Sequence, residues 1–489
     1  MLFTTPIFLF FFLPIFISLY YLCPAHGEWR NLFALMGSIA FFSWGEPVYV
    51  LFLLAFVYFD YIISKAISEA SSLSLARKKI LLCLGIVLNV SLLIVFKYTA
   101  FILNDILYPL KLYHGDLPQG TGPLLLGISF ITFHKISYLV DSYKGRATPP
   151  RNFYDCALYI FLFPQLIAGP IIRYHDIGNQ IQKRTYHSSL FLVGFFRFCV
   201  GFSKKILIAD QLGFVADRVF SLPMHELSLG VAWGGAFSYM LQIYFDFSGY
   251  SDMAIGLGAM MGFRFPENFN QPYLSKSISE FWRRWHISLS SWMRLYLYIP
   301  LGGNRTSKFR AFINLWIVFL ISGLWHGANW TFITWGAYYG FFLCLEKYCS
   351  ELYPNLKAYF PDLLRFIMTM AIVLFGWVLF RAPTLTYALG FIKVMLGITS
   401  LKFNPHPWGL LIGNRDLFLL FLGSIIAFFK VPGTTLRLPT WWHSAWSDTM
   451  VLQGIREQSF LFAATLVLLV LATMGMFSSD YTPFLYFRF

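Results

Sequence analysis

Charge is scarce in this chain. Only 12% of its 489 residues are charged, where a soluble domain carries about 25%, and this excludes an ordinary water-soluble globular protein. Cysteine is scarce too. Cys23, Cys83, Cys156, Cys199, Cys344 and Cys349 lie mostly in or beside apolar runs and show no CxxC spacing. That pattern excludes a disulfide framework or a thiolate metal site, and no cluster of His, Cys or carboxylate has metal-ligand spacing either. There is no GxxxxGK[ST] stretch, so a P-loop nucleotide site is absent. The net charge of +14 is not organised as a basic helix or a base-stacking platform, which excludes nucleic acid as a partner. The apolar beginning "TPIFLFFFLPIFISLYYL" lacks a basic leader and a small-residue cleavage site. It is expected to be a first membrane helix rather than a removable signal.

What the chain has instead is apolar residues, at 57%, and aromatic residues, at 20%. Apolar spans recur near residues 5–22, 31–45, 48–64, 80–102, 123–140, 153–172, 188–208 and 228–248, then near 311–330, 331–347, 362–381, 414–429 and 459–477. Several are short or broken by Gly and Pro, as in "FPQLIAGPI" (163–171), and broken segments at membrane depth re-enter or line a polar cavity. The expectation is an all-α, multi-pass helical bundle over 1–489, one domain with roughly ten or eleven crossings and one or two re-entrant segments. Basic residues orient it. Lys65, Arg77, Lys78 and Lys79 mark a cytoplasmic loop, which places the N-terminus outside after three spans. The Trp-rich stretch 430–458, with His443, is expected at the membrane interface.

Residues 275–310 are too charged to span a membrane and too aromatic for a solvated loop. Lys276, Arg283, Arg284, Arg294, Arg305, Lys308 and Arg310 face a single acid, Glu280, so the segment is expected on the cytoplasmic side. Trp282, Trp285, Ile287, Trp292, Tyr296 and Tyr298 would give an amphipathic helix its apolar face. Its arginines would meet lipid phosphates or receive an anionic cofactor such as coenzyme A, and His286 would lie on the same helix.

The sharpest signal is His326, in "SGLWHGANW" (322–330), at the far end of an apolar run. An ionisable residue beside a membrane span is costly and points to function, although a core histidine bonded to a carbonyl would give the same letters. Gly323, Gly327 and Ala328 would leave room for a substrate beside a neutral ring able to act as general base. "DFSGYSD" (246–252) is expected to place Asp246, Ser248, Ser251 and Asp252 around a bend that lines a cavity or caps a helix. Gln165, Arg173, His175 and Asp176 would shape an access path or sit at the interface.

Together, "FWRRWHISLSSWMRLYLYIPLGGNR" and "SGLWHGANWTFITWG" resemble the membrane-bound O-acyltransferase family, in particular the bacterial branch of the alginate O-acetyltransferase membrane subunit. "LGISFITFHKISYLVDSYKG" (126–145), "FPQLIAGPIIRYHDI" (163–177), "YFDFSGYSDMAIGLGAMMGFRFPENFN" (244–270) and the closing "PFLYFRF" (483–489) are similar to the same branch. The resemblance implies a bundle with a central tunnel or funnel, His326 as the catalytic histidine and His286 as the second. It implies Arg283, Arg284, Trp282 and Trp285 near an acetyl-CoA donor, with no metal. It also implies O-acetylation of an extracytoplasmic polysaccharide from the bacterial inner membrane. A periplasmic acetyltransferase subunit or small acyl carrier would take the acetyl onward. Peptidoglycan or cellulose O-acetylation and teichoic-acid D-alanylation are alternatives within the resemblance. A lipid-linked sugar transporter is an alternative outside it, but paired halves with matching broken helices are not evident. Two positions depart from the branch: Leu295 stands where an Asp usually follows the Arg, and His134 where a Gln or another polar residue is expected.

Overall fold

The computed structural model describes residues 1–24, 28–69, 74–113, 127–167, 169–353, 359–399, 412–429 and 455–478. Expectations for residues 430–454, including His443, and for 483–489 lie outside the described residues. Among the described residues every regular element is helical. Among the described residues four helices are long and apolar enough to cross a membrane: Pro47–Ser68, Leu75–Leu107, Lys308–His326 and Asp362–Arg381. Phe8–Leu22, Leu385–Met395 and Phe462–Ser478 are shorter apolar helices. Several helices contain wider π-turns, at Phe8–Phe12, Ile94–Tyr98, Ile102–Leu107, Lys204–Ala209 and Arg294–Tyr298. Such turns shift the register of a helical face and recur at functional sites.

The chain groups into two compact units, Met1–Phe198 with Ser251–Pro266, and Cys199–Tyr250 with Glu267–Phe489. In the first, several buried charges are paired. Lys135 lies 3.1 Å from Asp60, which also accepts from Asn89 at 3.0 Å, and Arg197 meets Asp252 at 3.0 Å. Isolated, each of these ions would cost several kcal/mol away from water, so pairing is the condition for burying them. His175 Nδ1 lies 2.8 Å from the buried carboxylate of Asp141, and Arg173 pairs with Asp176 at 2.7 Å. His175 therefore ties the start of Tyr174–Gln182 to Ile128–Lys144, while Arg173 and Asp176 close that start locally. Gln165 is fully buried and donates to the Tyr159 carbonyl. His134 is fully buried, its ring 5.7 Å from that of Tyr159.

In the second unit Lys205 sits between two carboxylates, 2.5 Å from Asp210 and 2.7 Å from Asp246. The bend expected at 246–252 does not form. Leu229–Met260 is one continuous helix of 32 residues. Asp246 and Asp252 are spent on Lys205 and Arg197, so ion pairing holds these side chains where capping was expected.

The helix Lys308–His326 starts where the Ser307 hydroxyl accepts from the Arg310 N–H, and stops where Gly327 turns extended. It packs against Trp330–Leu352 at backbone contact. A Cβ on Gly323 would stand 2.3 Å from the Phe332 carbonyl oxygen, and one on Gly336 2.3 Å from that of Phe319. Small residues permit this approach, the usual device where hydrophobic burial cannot drive helices together.

Candidate active site

All the residues considered in this site belong to the second unit. The segment 275–310 forms no single amphipathic helix. It makes two short ones, Ile278–Arg284 and Ile287–Met293, followed by the π-turn Arg294–Tyr298. The Ser277 side chain caps the first by accepting from the Glu280 N–H at 3.1 Å. The break falls at His286, whose backbone is left-handed at φ +44. A non-glycine residue held there costs about 1–3 kcal/mol and persists only when its surroundings impose it. Here the segment 268–270 imposes it. The Ile287 N–H donates to the Asn268 carbonyl at 2.9 Å, and the Asn270 N–H donates to the Arg284 carbonyl at 2.9 Å. The break turns the His286 ring inward, leaving it only 1% exposed.

His286 Nδ1 lies 3.0 Å from Asn268 Oδ1, and the Phe247 ring meets the imidazole edge-on at 4.6 Å. Burial lowers its pKa to about 3, so the ring is neutral. His326 is the last residue of its helix and is 7% exposed. The rings of Trp325, Trp335 and Phe380 surround it at 4.8, 5.0 and 5.1 Å. The Trp325 ring also lies 6.1 Å from His286, so the two histidines, 40 positions apart, share one indole as neighbour.

Gly323 and Gly327 do not open space for a substrate as expected. A Cβ on Gly327 would meet the Phe332 ring at 2.3 Å, so both glycines serve close packing instead. Asn329 caps the next helix, its side chain accepting from the Thr331 N–H at 3.0 Å. Trp282 and Trp285 are buried inside an aromatic core: Trp282 is 5.0 Å from Tyr339 and Trp285 is 4.8 Å from Trp377. Arg284 is held by Glu280 at 2.8 Å and by the Asn270 carbonyl at 3.2 Å, while Arg283 is exposed. Arg294, before the unusual Leu295, is exposed as well, so no buried partner is needed.

Sequence reading did not single out Asn268, Phe247 or Phe380. Asn268 lies inside a stretch already marked by resemblance, yet its separation of 18 residues from His286 carries no periodic signal.

The fold is that of a multi-pass membrane protein, and it buries this pair of imidazoles within one unit. The sequence profile of the membrane-bound O-acyltransferase family matches residues 81–388, and the chain belongs to that family. It is an O-acyltransferase. It is 43% identical over 438 residues to a protein of Pseudomonas aeruginosa named probable alginate O-acetylase AlgI, covering 88% of this chain and 81% of that protein. A protein of the same name from Azotobacter vinelandii is 40% identical over 508 residues, spanning both chains in full. The peptidoglycan O-acetyltransferase of Helicobacter pylori is 36% identical over 432 residues, 82% of this chain and 81% of the relative.

Proposed function

We propose that this enzyme moves acetyl groups from acetyl-CoA at the cytoplasmic face of a bacterial inner membrane toward O-acetylation of an extracytoplasmic, alginate-like polysaccharide. The observation that carries the reading is the buried His286–Trp325–His326 grouping in a chain of this family. A thioester carries its own activation, so base catalysis and positioning suffice. His326 accepts the proton of the attacking hydroxyl as the new C–O bond forms. The C–S bond then breaks, and the imidazolium returns its proton to the departing thiolate. Arg283, exposed at the end of its short helix, is placed to meet the donor's phosphates, with Arg284, Trp282 and Trp285 building the wall behind it. A periplasmic acetyltransferase subunit or a small carrier takes the acetyl onward, and the N-terminus lies outside. The names of the Pseudomonas and Azotobacter relatives support the acceptor class.

The test is labelled acetyl-CoA given to the purified enzyme in lipid, with ester-linked acetyl measured by mass spectrometry on each envelope polymer with and without the gene. Acetyl lost from an alginate-like polymer on deletion supports the reading. Loss from peptidoglycan alone would transfer the assignment to the activity named for the Helicobacter relative. Unchanged acetylation of every polymer would overturn both.

A further inference from the structure

The Asn268 carboxamide is oriented by a neighbour that has no choice of role. The Ser288 backbone N–H can only donate, and it points at Asn268 Oδ1 at 3.3 Å; the Ser288 hydroxyl reaches the same atom at 2.8 Å. Oδ1 is therefore the acceptor end of the amide. His286 Nδ1, 3.0 Å from that oxygen, must then carry a hydrogen and donate it. A neutral imidazole has one N–H, so Nε2 holds the lone pair.

The surroundings make this arrangement rigid. Asn268 is itself buried, its backbone carbonyl accepts from the Ile287 N–H at 2.9 Å, and the left-handed backbone at His286 fixes the direction of the ring. His286 Nε2 is buried and, among the described residues, has no hydrogen-bond partner. Charged groups on neighbouring elements are held elsewhere, Asp246 by Lys205 and Arg284 by Glu280, while His326 follows the shared Trp325.

We propose that Asn268 is a positioning residue that locks His286 in the Nδ1–H tautomer and so makes Nε2 a hydrogen-bond acceptor for substrate in the transfer site. His286 thus receives a hydrogen bond from a substrate O–H or N–H and does not stabilise an oxyanion. This rests on the reading that His286 belongs to the acyl-transfer site, while the tautomer can be read without any turnover.

The first measurement is 15N NMR of the histidine-labelled enzyme in nanodiscs, with the His286 signals assigned by their loss in His286→Gln. A protonated Nδ1 with a bare Nε2 is expected, and in Asn268→Ala the ring should become a mixture of tautomers. A hydrogen on Nε2 in the wild type, or an unchanged tautomer in Asn268→Ala, would overturn the proposal. The second measurement is transfer from labelled acetyl-CoA to alginate oligosaccharides. Asn268→Ala should lower kcat at least about 10-fold, less than the roughly 100-fold lower bound for losing an acid–base group outright, because the imidazole itself remains. Asn268→Asp keeps the acceptor and adds charge that favours the imidazolium. Its activity should return at high pH, with the acid limb of the pH–rate profile displaced upward by about one unit or more. An unmoved limb in Asn268→Asp would mean that Asn268 only braces the loop. Near-normal transfer by His286→Gln, with the wild-type tautomer as expected, would remove His286 from the site but leave the tautomer lock standing.

Discussion

At the scale of single residues, both histidines pack against aromatic rings, His326 against Trp325, Trp335 and Phe380 and His286 against Phe247, and His286 adds a contact to Asn268 and a left-handed backbone. His326→Ala should reduce acetyl transfer at least about 100-fold, the lower bound for losing a general base, while detergent stability and donor binding change little. Transfer within a few-fold of wild type in reconstituted protein would strip His326 of that role. His286 also makes a statement about pH. Its folded pKa of about 3 lies below the ordinary 6.5. Above 6.5 neither state takes up a proton there. As pH falls from 6.5 toward 3 only the unfolded chain does, so stability is lost through that window. Thermal unfolding followed from pH 7 to 4 should show a declining midpoint, with a shallower decline in His286→Gln. The two arginines should separate as well. Arg283→Gln is expected to weaken acetyl-CoA binding with little effect on stability, because its side chain is exposed. Arg284→Gln should loosen the turn at Asn270 and Glu280, read as lower thermal stability.

At the scale of elements, the contact between Lys308–His326 and Trp330–Leu352 depends on a missing side chain. Gly323→Ala would drive a methyl into the Phe332 carbonyl, 2.3 Å away, where backbone cannot yield cheaply. The helices would have to part, and unfolding in detergent should begin several degrees lower, with transfer reduced because His326 rides on the same helix. An unaltered midpoint would show that the pair is not tightly packed in the membrane. This element also marks the limit of what sequence reading supplies. The apolar run, its end at His326 and the following cap at Asn329 are legible because hydropathy and capping act over a few residues. The role of Gly323 and Gly327 is not, since the letters are the same whether a glycine faces open space or a neighbouring carbonyl. The break at His286 escapes for the same reason. It is imposed by hydrogen bonds from residues 268–270, and a non-local contact overrides a periodic pattern that fits one amphipathic helix. Likewise the letters of "DFSGYSD" read as a bend, until Lys205 and Arg197 claim the two aspartates and the helix runs straight through.

At the scale of the whole molecule, scarce charge has consequences for orientation. Segment 275–310 carries seven Lys and Arg against one acid, so it should face the cytoplasm. Lys308 is well exposed, with Glu351 3.1 Å away, and a cysteine there would be reachable. In a variant free of the six native cysteines, Lys308→Cys should resist a membrane-impermeant thiol reagent in intact cells and react after lysis. Equal labelling before lysis would reverse the orientation and the route assigned to the donor. The glycine contact between the two helices bears on a question of machinery. A carrier moves its cargo by rocking one part of the protein against another around a fixed site, which requires surfaces able to slide. Gly323 and Gly336 set main chain against main chain, like a riveted joint, and His326 is mounted three residues from the rivet. That joint holds His326 still against the helix Trp330–Leu352, so any movement of the histidine must carry both helices with it.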